Sequence, residues 1–144
     1  VFDRIGGYDE TLVYEDFDFW VRSSRVFKYA FLNESLTRIR RSGYSMSSGW
    51  YRIGDRQLHS TYLVCKKAIQ LNRDREDVEA LLARVRYELR QAVFSENHQE
   101  VESFFGLLKK LKEVRMIDSF LVRLDALHLP LAWIRRGYHW LRFK

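Results

Sequence analysis

The sequence predicts a mainly α-helical chain carrying one short β hairpin. Two observations predict the helices: apolar residues recur at spacings of three and four from residue 55 onward, and polar capping residues stand where each apolar series begins. A third predicts the hairpin: residues 28–32 read as an alternating strand, Asn33-Glu34 as a turn and residues 36–40 as a second strand.

The elements follow in chain order. Gly6-Gly7 reads as a turn. A helix starts at Glu15 or Asp16 and runs to about Phe27, with Phe17, Trp20, Val21 and Ser24 on one face. The two strands come next, then a loop through Gly43, the serines and Gly49. The next helix covers 55–71, with Leu58, Tyr62, Cys65 and Ile69 inward. Asp74-x-x-Asp77 opens a helix to about Phe94 that buries Val78, Leu81, Leu82, Val85, Leu89 and Val93. Asn97-x-x-Glu100 caps another, with Val101, Phe104, Phe105, Leu108 and Leu111 inward. Residues 116–127 form a further helix, and Pro130 suits the first turn of a last one, where its missing N–H costs nothing.

With 144 residues, 31% charged and 15% aromatic, the chain has the size and composition of one compact domain and not of a disordered tail. No apolar run is long enough to span a bilayer, and no signal-peptide pattern opens the chain. It begins at Val1 without Met, so we expect a piece of a longer protein. A single cysteine, Cys65, allows no internal disulfide and fits a reducing compartment. The net charge of +6 suits phosphorylated substrates or an anionic membrane surface. Zinc-finger, homeodomain and RNA-binding patterns are absent from the sequence, so no nucleic-acid partner is expected.

Glu15 and Asp16 open a helix, where the macrodipole and unpaired backbone donors favour the ionised carboxylate by roughly 0.3–1 kcal/mol. A fixed, ionised carboxylate is what a general base needs to take the proton of an attacking hydroxyl. Acidic helix starts are also common as plain caps.

The surroundings weigh towards chemistry. Gly6-Gly7-Tyr8-Asp9-Glu10 followed by Glu15-Asp16-Phe17-Asp18-Phe19 and Arg22 closely resembles the acceptor side of a family 2 glycosyltransferase of the GT-A fold. The likeness covers residues 1–48. It implies that residues 1–52 are the C-terminal part of an α/β GT-A catalytic domain and residues 53–144 a helical extension. The implied enzyme moves a sugar from a nucleotide-sugar donor to an acceptor hydroxyl with inversion, in cell-surface polysaccharide or glycolipid synthesis. By the same resemblance Asp16 is the catalytic base and Glu15 shapes the acceptor site. Gly6 and Gly7 pass beneath the donor sugar, and Asp9 and Glu10 approach sugar hydroxyls. The nucleotide-binding half, with the residues that hold a divalent Mn or Mg ion, is expected before Val1; the isolated fragment is then expected to be inactive.

After the hairpin the family often carries a His that helps to hold the metal or the diphosphate. Arg40 stands at that position here, within Arg38-Ile39-Arg40-Arg41. An Arg binds no cation, but its guanidinium can neutralise a leaving diphosphate. Arg38, Arg40 and Arg41 are therefore diphosphate-contact candidates, against the alternative of a solvated basic edge strand.

His59, His98, His128 and His139 show no metal-ligand spacing, so no metal is assigned within this chain. In residues 131–144, Leu131, Ile134, Tyr138 and Leu141 form one helical face, Trp133 and Trp140 flank it, and Arg135, Arg136, His139 and Arg142 form another. That pattern suits a helix at an anionic membrane surface, or one packed on the bundle or on a second subunit. The expected location is the cytoplasm, at the inner face of the membrane, with lipid-linked acceptors. The competing function is a non-catalytic helical module for oligomerisation or membrane docking.

Overall fold

The computed structural model describes residues 1–38 and 51–131. Among the described residues six helices follow in order: α1 (Phe2–Ile5), α2 (Glu15–Ser23), α3 (Arg56–Leu71), α4 (Arg75–Phe94), α5 (His98–Lys110) and α6 (Met116–Ala126). The central helix is α4, which packs on α3, α5 and α6; α5 also touches α3 and α6, and α2 lies on α3.

Three of the bundle helices, α3, α4 and α6, start for a local reason. The Asp55 side chain accepts the Gln57 N–H at 2.8 Å and caps α3, and Asp74 accepts the Asp77 N–H at 2.8 Å and caps α4. At α6, Asp118 Oδ2 accepts the Arg115 N–H at 2.9 Å and also takes Arg86 Nε at 3.2 Å, a buried pair that locks the start of α6 to α4. The apolar stripes then close one core, with Leu58 and Cys65 from α3, Leu82, Val85 and Leu89 from α4, Val101, Phe104 and Leu108 from α5, and Leu121 from α6. Burial pushes the Cys65 thiol up to about 12, so it behaves as a small apolar side chain.

Three expectations need correction. The β hairpin does not form: no strand occurs among the described residues, and residues 28–38 are exposed and irregular. A strand needs a hydrogen-bonded neighbour and a covered face. Here Phe31 is 90% exposed and Leu36 71% exposed, with no described strand to pair with and no face to cover them. Alternation alone could not supply either. Second, α2 ends at Ser23, short of Phe27; turn hydrogen bonds from the Ser24, Arg25, Val26 and Phe27 N–H groups carry the chain on. Third, the Asn97 side chain does not cap α5. Its Oδ1 accepts the Gly54 N–H at 2.7 Å and its Nδ2 donates to the Arg52 carbonyl at 3.0 Å, tying the turn before α3 to the turn before α5. Gly54 sits at φ +76°, a conformation that favours glycine.

Pro130 and Leu131 are not helical, and Leu131 is buried in the bundle core. The rest of the expected last helix, the strand residues 39–40, Arg40 and Arg41, and the loop through Gly49 lie outside the described residues.

Candidate functional site

The turn and α2 are joined by a charged cluster that starts from the buried carboxylate of Asp18, only 1% exposed. Asp18 Oδ2 accepts Arg22 Nε at 2.7 Å, the i,i+4 partner on the same helix face. The Arg22 guanidinium then reaches back to the glycine turn, donating to the carbonyls of Ile5 (2.6 Å) and Gly7 (2.7 Å). Asp18 Oδ1 accepts Lys67 Nζ from α3 at 2.9 Å, and the same ammonium donates to Asp9 Oδ2 at 2.8 Å. Asp9 Oδ1 also accepts the Thr11 N–H, which closes the turn on itself. Gly6 at φ +74° lets the chain leave α1 into this turn, and beside it Phe2 and Tyr8 pack on Phe19, with ring centroids 5.0 and 4.9 Å apart.

Beside this clamp, the two acidic residues at the head of α2 carry no such ties. Asp16 is exposed and Glu15 half-buried, and no hydrogen bond or ion pair holds either carboxylate among the described residues. The Asp18–Arg22 pair follows on the same helix and ties its first turns to the glycine turn. Gly6, Gly7 and Glu10 are exposed at the turn; Asp9 is half-buried and spends its carboxylate on Lys67 and Thr11. Arg38 is exposed and contacts none of these groups, and Arg40 lies outside the described residues. Sequence reasoning missed Asp18 and Lys67 as the centre of the clamp. The Asp18–Arg22 spacing was a usable signal; nothing local marked Lys67.

The cluster is electrostatically tuned. The Lys67 ammonium, then the Thr11 hydroxyl and N–H, hold the Asp9 carboxyl well below the usual range, at about 2. Burial works against the Lys67 ammonium, but its hydrogen bonds to Asp9 and Asp18 outweigh this and raise its pKa. Asp9 is lower in the fold than its unfolded 3.8, so the contact stabilises above pH 3.8 and is lost as pH falls through 3.8 towards 2. In Lys67→Met we expect the Asp9 carboxyl titration, followed by carbon NMR, to move back towards 3.8; an unmoved titration removes Lys67 as the cause. In Asp18→Asn we expect a loss of about 1.5–3 kcal/mol, read from the urea midpoint at unchanged slope. Arg22 and Lys67 still reach water, which keeps the cost below that of breaking a fully buried pair. A loss below about 0.5 kcal/mol, the range of ordinary surface changes, means the cluster does not hold the turn.

Behind the head of α2 lies a cavity of about 220 Å³, walled by Tyr14, Tyr51, Tyr87, Thr61, Arg84 and Glu88 among others. Burial pushes the Glu88 carboxyl up, against the pull of Arg84, and raises the Tyr51 hydroxyl as well. Arg84 stacks its guanidinium over the Phe17 ring at 4.7 Å and so connects this wall to α2.

Comparison of the chain with family models, curated proteins and solved structures gives no match in any of the three. No helix among the described residues is long and apolar enough to cross a membrane.

Proposed function

We propose that this chain is the acceptor-side part of a glycosyltransferase that resembles family 2, with Asp16 as the base that deprotonates the acceptor hydroxyl. The observation that carries the reading is the clamp. Asp18, Arg22, Lys67 and Asp9 hold the glycine turn and the first turn of α2 in one arrangement, and beside it the exposed Asp16 and the half-buried Glu15 keep unpaired carboxylates. A base held by its backbone and free at its oxygen atoms is poised for proton transfer. Glu15 lies one residue away and would orient the acceptor, and Gly6 and Gly7 leave room for a sugar above the turn. The donor nucleotide and its divalent metal fall to residues outside this chain, with Arg38 and Arg40 as candidates for the diphosphate. Loss of transfer on replacing Asp16 by Asn in the full-length enzyme, with the fold intact, is the test.

A second reading is favoured by the outer side of α6. Met116 is 92% exposed, and Phe120 and Leu127 follow on the same helical face, both exposed. That face would serve a non-catalytic role, in self-association or in docking at an anionic membrane surface together with residues 131–144. Concentration-dependent mass of the purified chain, with and without Phe120→Ser, separates the two roles.

A further inference from the structure

We propose that the outer face of α6 docks on a bilayer carrying anionic lipids, with its apolar side chains in the headgroup boundary and its cations on lipid phosphates. This rests on reading that face as a docking surface, and names the partner. Met116, Phe120, Arg123 and Leu127 recur at spacings of four, three and four residues, which puts them on one face of the helix. Ile117 adjoins them, and the four apolar side chains are each more than half exposed. Monomeric soluble proteins rarely leave so many large apolar groups together at the surface. The face shares no residue with the acidic head of α2, so it does not depend on transfer chemistry.

Charge chooses the partner. Residues 109–144 hold nine Lys and Arg against three Asp and Glu, a balance of +6 that equals the net charge of the whole chain. Residues 1–108 carry sixteen of each sign and are neutral. The fold sorts the signs further. Lys109, Lys110, Lys112, Arg115 and Arg123 are exposed, whereas Asp118 and Asp125 are buried and Glu113 is half-buried. Asp118 turns inward to Arg86 and the Arg115 N–H, and Asp125 pairs with His98. What α6 and the turn before it show to solvent is therefore apolar and positive. A second copy fits this poorly, because symmetric pairing lays the same patch on both subunits and sets one positive edge against another. A nucleic acid would satisfy the cations but leave Met116, Ile117, Phe120 and Leu127 in water. A bilayer surface takes both kinds of group, since apolar side chains enter the headgroup boundary while anionic headgroups attract Lys and Arg.

The test is sedimentation of the 144-residue chain with sucrose-loaded vesicles of phosphatidylcholine, with and without phosphatidylglycerol. Binding is expected only to the vesicles that contain phosphatidylglycerol, and is weakened by molar salt. Arg123→Gln is expected to weaken it about fivefold, the usual worth of one cation at an anionic surface. Met116→Ser and Phe120→Ser together are expected to weaken it about tenfold or more. Both side chains are exposed, so their removal leaves the core intact, and circular dichroism checks that helicity is unchanged. Binding that survives this double variant would place the contact elsewhere and overturn the proposal. Equal binding to both kinds of vesicle would overturn the anionic partner. Tighter binding to a DNA duplex, indifferent to the double variant, would make the surface a polyphosphate site and overturn it too. If the chain ignores vesicles but self-associates, and Phe120→Ser abolishes that, the lipid partner falls and the docking face stands. If it does neither, both fall.

Discussion

Replacing Asp16 by Asn in the full-length enzyme is expected to cut sugar transfer by about 10²–10⁴-fold, the usual contribution of a positioned general base. Stability is expected to change by less than about 1 kcal/mol. The asymmetry follows from the geometry. Asp16 is exposed and no side-chain bond of the fold depends on it, so what the fold loses is one favourable charge at a helix N-terminus, worth about 0.3–1 kcal/mol. Asn keeps the size and the polar oxygen but cannot take a proton from an attacking hydroxyl. The measurement is turnover of a radiolabelled nucleotide sugar at saturating acceptor, with circular dichroism and a urea midpoint as controls. A variant that folds normally and keeps its rate would eliminate Asp16 as the base. A variant that loses rate and several kcal/mol of stability together would show that Asp16 acts in the fold and not in chemistry. The contrast with Asp18 is informative: two carboxylates two residues apart on one helix, one exposed and untied, the other 1% exposed and bonded to Arg22 and Lys67. Each has its own predicted signature, rate for the first and stability for the second.

The bundle could be read from the sequence because its signals are local. Asp55 and Asp74 stand directly before the apolar series that they cap, and Leu81, Leu82, Val85 and Leu89 repeat with the helical period. Signals that depend on distant partners were not legible. Asn97 looks like a cap, yet it spends its amide on Gly54 and Arg52, more than forty residues back in the chain. Residues 28–32 alternate like a strand, but no neighbouring strand meets them among the described residues. Lys67 carries no local mark in the sequence of α3, and only with α2 beside it does it bridge Asp9 and Asp18. The same holds for the candidate site. Helix-start carboxylates at Glu15 and Asp16 are visible in the sequence, whereas the clamp that fixes them needs residues from three separate segments.

Phe104→Ala is expected to be the most destabilising single change in the bundle, at about 3–5 kcal/mol. Phe104 is fully buried on α5, with its ring set edge-on to Tyr62 of α3 at 6.0 Å between centroids. Truncation removes the transfer energy of the ring and leaves a cavity in the bundle core, which backbone relaxation refills only in part. Against a typical stability of about 5–15 kcal/mol for a domain, that is a large fraction, and the melting temperature should fall by on the order of 10–20 °C. Ring-contact energy adds about 0.5–1.5 kcal/mol to what area alone would give, so Phe104→Leu should recover most, but not all, of the loss. The consequence reaches the site. Lys67 is carried by α3, and α3 is held in place by α4 and α5; a loosened bundle frees the ammonium that grips Asp9 and Asp18. In Phe104→Ala the Asp9 titration should therefore drift up from about 2 in the temperature range where the bundle begins to open, before global unfolding. If the bundle melts early while the Asp9 titration stays low, the turn and α2 hold together without α3, and the helical extension is not the foundation of the acidic head of α2.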